Sequence, residues 1–152
     1  MDGCLACDLA AGRLPLPGGV IHESPLFFVE HCVGPLGAGT LLVKPRRHVT
    51  RVGELTEDEA AELGRLLRRS AAVVDALVAP EQVYTCQWSH AGRRPGHLHW
   101  VVQPATTADI DELGAYGPGL QIAMFQRGDQ PLEADVETLA EQARALFAEP
   151  GL

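Results

Sequence analysis

With 152 residues the chain is long enough for one domain with a proper core and too short for two comfortable ones. Hydrophobic residues make up 46% and charged residues 21%, which excludes a disordered chain, and a formal net charge of -8 argues against DNA or RNA as the partner. One local pocket can still be basic enough for a small anion. No run approaches the ~20 apolar residues of a membrane span, and Met1-Asp2-Gly3-Cys4 lacks the basic-then-apolar pattern of a secretory leader. The expected location is therefore the cytoplasm.

Residues 4 to 12 suit a short helix or turn that carries Cys4 and Cys7 and closes at Gly12. After a loop rich in Pro and Gly, Val20-Ile21-His22 and Leu26-Phe27-Phe28-Val29 read as two short strands joined at Ser24-Pro25. Gly34 to Gly39 is a second breaker, and Thr40 to Val43 is a third strand, expected to stop at Lys44-Pro45 because proline lacks a ladder donor. Thr56-Glu57-Asp58-Glu59 has the capping-box form. Behind it, Leu63, Leu66, Leu67, Val74, Leu77 and Val78 recur at helical spacing up to Ala79-Pro80. The charged residues Glu57-Asp58-Glu59 and Arg68-Arg69 read as a solvated face of that helix.

Two further strands are expected at Val83 to Trp88 and at His97 to Val102, joined by the basic loop Ser89 to Gly96. Leu120 to Phe125 suits either a strand or a short helix. Glu133 to Ala148 reads as a helix with Val136, Leu139, Ala143 and Leu146 on one face. Consecutive strands with helices between and after them imply an α+β fold: an antiparallel sheet of about five strands, a long helix and a C-terminal helix. No composition shift suggests a linker, so residues 1–152 are taken as one domain, with the motifs confined to 4–104 and a C-terminal extension over 105–152.

The four cysteines are too few for a secreted disulfide scaffold, and Cys4-x-x-Cys7 points to metal or redox chemistry instead. Redox pairs of the thioredoxin kind open a helix at the end of a strand, and no strand precedes Cys4. His48 and His97 each fall at the edge of a predicted strand. Two thiolates and two imidazoles make a closed tetrahedral zinc site of the structural type. Strand alternation places His97, His99 and Val101 on one face, with Leu98, Trp100 and Val102 on the other. A lone histidine on a strand is more often an ordinary hydrogen-bonded residue, whereas two on one face point to a site. The Gly- and Arg-rich loop before them favours the site. Trp88 and Trp100 read as core or interface anchors, and Arg46-Arg47 and Arg93-Arg94 as candidates for phosphate contacts.

Leu41-Leu42-Val43-Lys44-Pro45-Arg46-Arg47-His48 resembles the strand-Pro-basic-basic-His segment of histidine triad (HIT) proteins. Gly96-His97-Leu98-His99-Trp100-Val101-Val102-Gln103-Pro104 is similar to their His-φ-His-φ-His-φ-φ signature, and Cys4-x-x-Cys7 matches the zinc-binding branch. The resemblance implies zinc held by Cys4, Cys7, His48 and His97, with His99 as a nucleophile toward the α-phosphorus of a nucleoside phosphate derivative. It implies hydrolysis or nucleotidyl transfer on a dinucleoside polyphosphate or nucleoside phosphoramidate, and a two-fold homodimer. This chain departs from the pattern at Val101, where the third histidine would stand. It departs again at His31-Cys32, where an acidic residue usually meets the ribose hydroxyls. By position, Cys32, Gln87 and Arg94 are the substrate-binding candidates. The degenerate triad leaves a second reading, a nucleotide-binding protein with little or no turnover.

Overall fold

A computed structural model describes residues 3–90 and 96–151. The elements run α1 (Leu5–Ala10), β1 (Val20–Glu23), β2 (Phe27–His31), β3 (Leu41–Pro45), a 3-10 turn (Val52–Glu54), α2 (Glu57–Val78), β4 (Gln82–Gln87), β5 (Trp100–Ala105), α3 (Thr107–Leu113), α4 (Pro118–Arg127) and α5 (Glu133–Ala148). The five strands form one antiparallel sheet in the order β1-β2-β3-β5-β4. No helix among the described residues is long and apolar enough to cross a membrane.

Alternation along the strands divides the apolar residues between the two faces of the sheet. Phe27, Val29, Leu41, Val43, Trp100 and Val102 join Val73 and Val74 of α2 and Ala140, Ala143 and Phe147 of α5 in the larger core. Full burial of a side chain such as Phe27 contributes roughly 1.5–3 kcal/mol. A smaller cluster beneath α4 gathers Cys32, Leu36, Val101, Ala105, Leu120 and Met124. The long helix begins as its sequence requires: Glu59 N–H donates to the Thr56 hydroxyl, and Thr56 N–H donates to the Glu59 carboxylate.

Several expectations need correction. β3 runs on through Lys44 and Pro45, with Phe27 paired to Pro45. The proline is tolerated because β5 pairs only with Leu41 to Val43, leaving that side of the strand end without a ladder to supply. β5 begins at Trp100, so His97 and His99 lie in the extended approach to the strand, where Leu98 N–H donates to Val49 O at 2.7 Å. Leu120 to Phe125 belongs to helix α4, started by Pro118 at its first position. Helix α3 was not anticipated; its signal is Thr106, whose hydroxyl accepts from Asp109 N–H. On α5 the buried face is Val136, Ala140, Ala143 and Phe147, rotated slightly from the expected one. Neither Glu59 nor Arg69 is mere decoration of α2: Arg47 pairs with Glu59, and Arg69 donates to Phe147 O and Glu149 O.

Candidate metal centre and active site

Helix α1 brings Cys4 and Cys7 to the end of β3, where His48 and His97 meet them. The four potential ligand atoms lie within 4.8 Å of one another. Cys7 Sγ is 3.4 Å from Nδ1 of both His48 and His97, and Cys4 Sγ is 3.9 Å from His97 Nδ1. Ligands held tetrahedrally by zinc at its usual bond lengths stand about 3.4–3.8 Å apart, so the cluster is close to the required size.

Protonation agrees with ligation. His97 Nε2 lies 2.8 Å from Pro45 O, and a carbonyl only accepts; Nε2 therefore carries the proton and Nδ1 turns its lone pair toward the cysteines. Burial, chiefly, lowers the His97 pKa to about 4, with the neighbouring His48, Lys44 and His99 acting in the same direction. The imidazole is thus held neutral, the form that ligates. Burial, first, and then the adjacent Cys4 raise the Cys7 pKa, so the Cys7 thiolate is favoured there when a cation stands beside it.

Two residues further on, the chemistry reverses. His99 Nδ1 donates to His97 O at 2.9 Å, which leaves the unprotonated Nε2 as the outward nitrogen. Ser89 braces the same residue. Its hydroxyl accepts from His99 N–H at 3.0 Å and from Gln87 Nε2 at 2.8 Å, leaving its own proton to donate. Sequence reasoning missed Ser89. The available signal was its position two residues beyond Gln87, on the same side of the chain as it leaves β4.

His99 faces a cavity of about 540 Å3 whose wall includes Cys32, Ser89, His97, Val101, Glu30 and Lys44. Cys32 is therefore brought to the site, as a buried thiol whose pKa is pushed up to about 11, first by desolvation. Gln87 reaches it only through Ser89, and Arg93 and Arg94 lie outside the described residues. The carboxylate expected near residues 31–32 stands one step earlier on the cavity face, at Glu30, locked to Lys44 at 2.6 Å with both side chains almost fully buried. Lys44 Nζ also donates to Ala6 O at 3.3 Å, tying α1 to the sheet. His31 turns away from the site: its Nδ1 donates to Cys32 O and its Nε2 accepts from Gly39 N–H, which holds the 32–39 loop.

Arg46 and Arg47 do not line the cavity. Arg46 pairs with Glu23 and lies over Phe28, while Arg47 is held by Glu59 and Glu54 O. Of the two tryptophans, Trp100 is core, whereas Trp88 is 42% exposed at the cavity mouth and packs beside Phe125.

No protein-family model matches the sequence. Comparison with solved structures gives close agreement in shape. A hypothetical histidine triad nucleotide-binding protein from Sulfolobus tokodaii superposes with a TM-score of 0.72 at 20% identity, covering 95% of this chain and 91% of its own. The chain has the histidine triad fold. A Hit-like protein involved in cell-cycle regulation from Bartonella henselae gives 0.73 at 15% identity, covering 96% and 97% of the two chains. A Zn-bound histidine triad family protein from Mycobacterium smegmatis gives 0.69 at 18% identity, covering 96% and 94%. This agreement extends the histidine triad fold well past Pro104, through the helices that carry no motif.

Proposed function

We propose that the protein is a nucleotide hydrolase or nucleotidyl transferase that works through His99, with zinc held by Cys4, Cys7, His48 and His97 in a structural role. The observation that supports it most is the pair of opposed imidazoles: His97 offers Nδ1 to the cysteine cluster, and His99 offers Nε2 to the cavity. Zinc, when bound, ties α1 to the segment that carries both histidines and so holds the direction of His99.

In the first step the lone pair of His99 Nε2 forms a bond to the α-phosphorus of a nucleoside phosphate derivative. The bond to the leaving group breaks, and the leaving group keeps that electron pair and takes up a proton where its basicity requires one. In the second step water forms a bond to the same phosphorus, the P–N bond returns its pair to Nε2, and the proton that the water loses passes to solvent. The products are a nucleoside monophosphate and free His99. Ser89 keeps His99 in place and turns its hydroxyl proton toward the phosphate oxygens, partly replacing the donor missing at Val101. Cys32 supplies cavity wall. A reducing cytoplasm suits the free thiols that a metal needs, and a two-fold dimer is proposed on the family resemblance alone.

Mass spectrometry of protein quenched during turnover of an adenylated amine should find AMP attached to His99. Turnover that leaves no adduct and survives in His99→Ala would overturn the mechanism. Nucleotide bound without product would instead select the reading as a binding protein, which Val101 favours.

A further inference from the structure

Glu30 and Lys44 form an ion pair of 2.6 Å with side chains only 2% and 1% exposed, and both border the His99 cavity. A buried pair is expected to satisfy all of its polar atoms, because each one left unmet costs the desolvation of that group. Here Lys44 Nζ donates to Glu30 Oε1 and to Ala6 O, while Glu30 Oε2 has no hydrogen-bond partner among the described residues. Burial, first, raises the Glu30 pKa, and Lys44 opposes that rise. With the ammonium beside it the group is a carboxylate, which accepts and never donates.

Strand register fixes where this acceptor lies. Glu30 pairs with Leu42 across β2 and β3, and Leu42 with Val101 across β3 and β5, so the three share one face of the sheet in a straight row. Val101 follows His99 by two residues on that face, and two strand spacings carry the row roughly 10 Å from Val101 to Glu30. All four residues border the one cavity. A nucleoside with its phosphorus at His99 spans such an interval, lying over apolar Leu42 and Val101. At the far end it meets an acceptor that the protein itself leaves unmet.

We propose that Glu30 selects the base of the nucleotide and that this base is guanine. The inference rests on the reading of His99 as the point of attack on a nucleoside phosphate. An unmet carboxylate oxygen calls for a donor, and the bases differ in what they offer. Adenine, cytosine and uracil each carry one donor group on the pairing edge. Guanine carries two side by side, N1–H and the N2 amine, with the O6 acceptor next to them. The two donors reach Oε2 and the remaining lone pair of Oε1. Lys44 has two of its three protons placed among the described residues, on Glu30 Oε1 and Ala6 O, and the third serves O6. Glu30 then acts on specificity and takes no part in bond making.

The test uses the 5′-phosphoramidates of guanosine, adenosine and inosine, which release the same ammonia and differ only in the base. A hydrogen bond to a charged group changes affinity by about 10- to 100-fold, so kcat/KM for guanosine should exceed that for adenosine by roughly that factor. Inosine, which lacks the N2 amine, should fall between them. Replacing the pair together, Glu30→Leu with Lys44→Met, removes the carboxylate without stranding a buried charge, and the guanosine preference should disappear. The conservative Glu30→Gln should narrow the preference, chiefly through guanosine. Equal rates or an adenosine preference in the wild type overturn the base assignment while leaving the His99 mechanism intact. A guanosine preference that survives in the double variant does the same. An equal loss for both bases in Glu30→Gln gives the carboxylate to the ribose hydroxyls that they share and ends the proposal. A protein that turns over none of the three is judged by calorimetry with GMP and AMP. Tighter binding of GMP keeps the assignment without the His99 chemistry; equal affinities overturn the assignment, and binding of neither overturns it together with the nucleotide reading.

Discussion

His97 and His99 stand two residues apart on one extended segment and face the same way, yet their environments set opposite tautomers. His97 spends its Nε2 proton on Pro45 O, deep in the structure, and presents Nδ1 to two cysteines. His99 spends its Nδ1 proton on the carbonyl of His97 itself and presents Nε2 to an open cavity. The first imidazole is buried against the cysteines, and the second, less buried, borders the cavity. The lesson is that identical side chains at alternate positions acquire different chemistry from the carbonyl each one finds, and the sharpest tests are those that disturb one without the other.

The largest effect should come from His99→Ala, with turnover falling to background while metal content and Tm stay at wild-type values; loss of zinc in this variant would mean the two histidines are not separable. Next is Cys7→Ser, or chelation of the wild type. Loss of the metal should cost at least about 2 kcal/mol, a fall in Tm of roughly 4–8 °C for a chain of this size. Elemental analysis should find close to one zinc per chain beforehand, and a fully folded metal-free protein with unchanged Tm would contradict the structural role. Ser89→Ala should act on the His99 side alone, lowering kcat by about 10- to 100-fold, as loss of an orienting partner does at comparable sites. Unaltered kcat there would remove Ser89 from the mechanism.

The smallest expected effect concerns His31, a histidine outside both corners that holds the 32–39 loop. Burial lowers its pKa below the ordinary 6.5, opposed by its hydrogen bond to Cys32 O. The unfolded chain therefore takes up this proton first as pH falls through 6.5. Its contribution to stability is complete above that value and declines below it, until the folded histidine is protonated as well. Denaturant unfolding followed from neutral pH downward should show that decline, and His31→Gln, which cannot titrate, should show a shallower one. Equal slopes in the two proteins would mean that other groups control the acid response.

Gly39 shows how the same loop depends on backbone freedom. Its N–H reaches His31 Nε2 with φ at +84°, and a Cβ there would lie 2.6 Å from Val78 Cγ2. A side chain at this position is both strained and obstructed.

Much of the sheet was legible because strands with one core face must alternate: Leu98, Trp100 and Val102 face the larger core in the order their spacing dictates. The capping box at Thr56 and the helical recurrence behind it were equally plain, since both depend on neighbours within four residues. The four metal-ligating candidates were legible from residue type and converge on one point in the structure. What remained hidden was everything decided between distant segments. No local pattern distinguishes Arg51, which enters no ion pair among the described residues, from Arg46 and Arg47, because the carboxylates that engage the latter, Glu23 and Glu59, come from other elements. Nor does any pattern announce that Glu30 and Lys44 share a buried ion pair, that Trp88 stays exposed while Trp100 is enclosed, or that Ser89 braces His99. By itself the sequence determined which residue types could bind a metal and which faces had to be apolar, because those depend on side-chain type and local period. Only the tertiary structure decided each imidazole's tautomer and each cation's partner, because a hydrogen bond is assigned by whichever group the fold brings within about 3 Å.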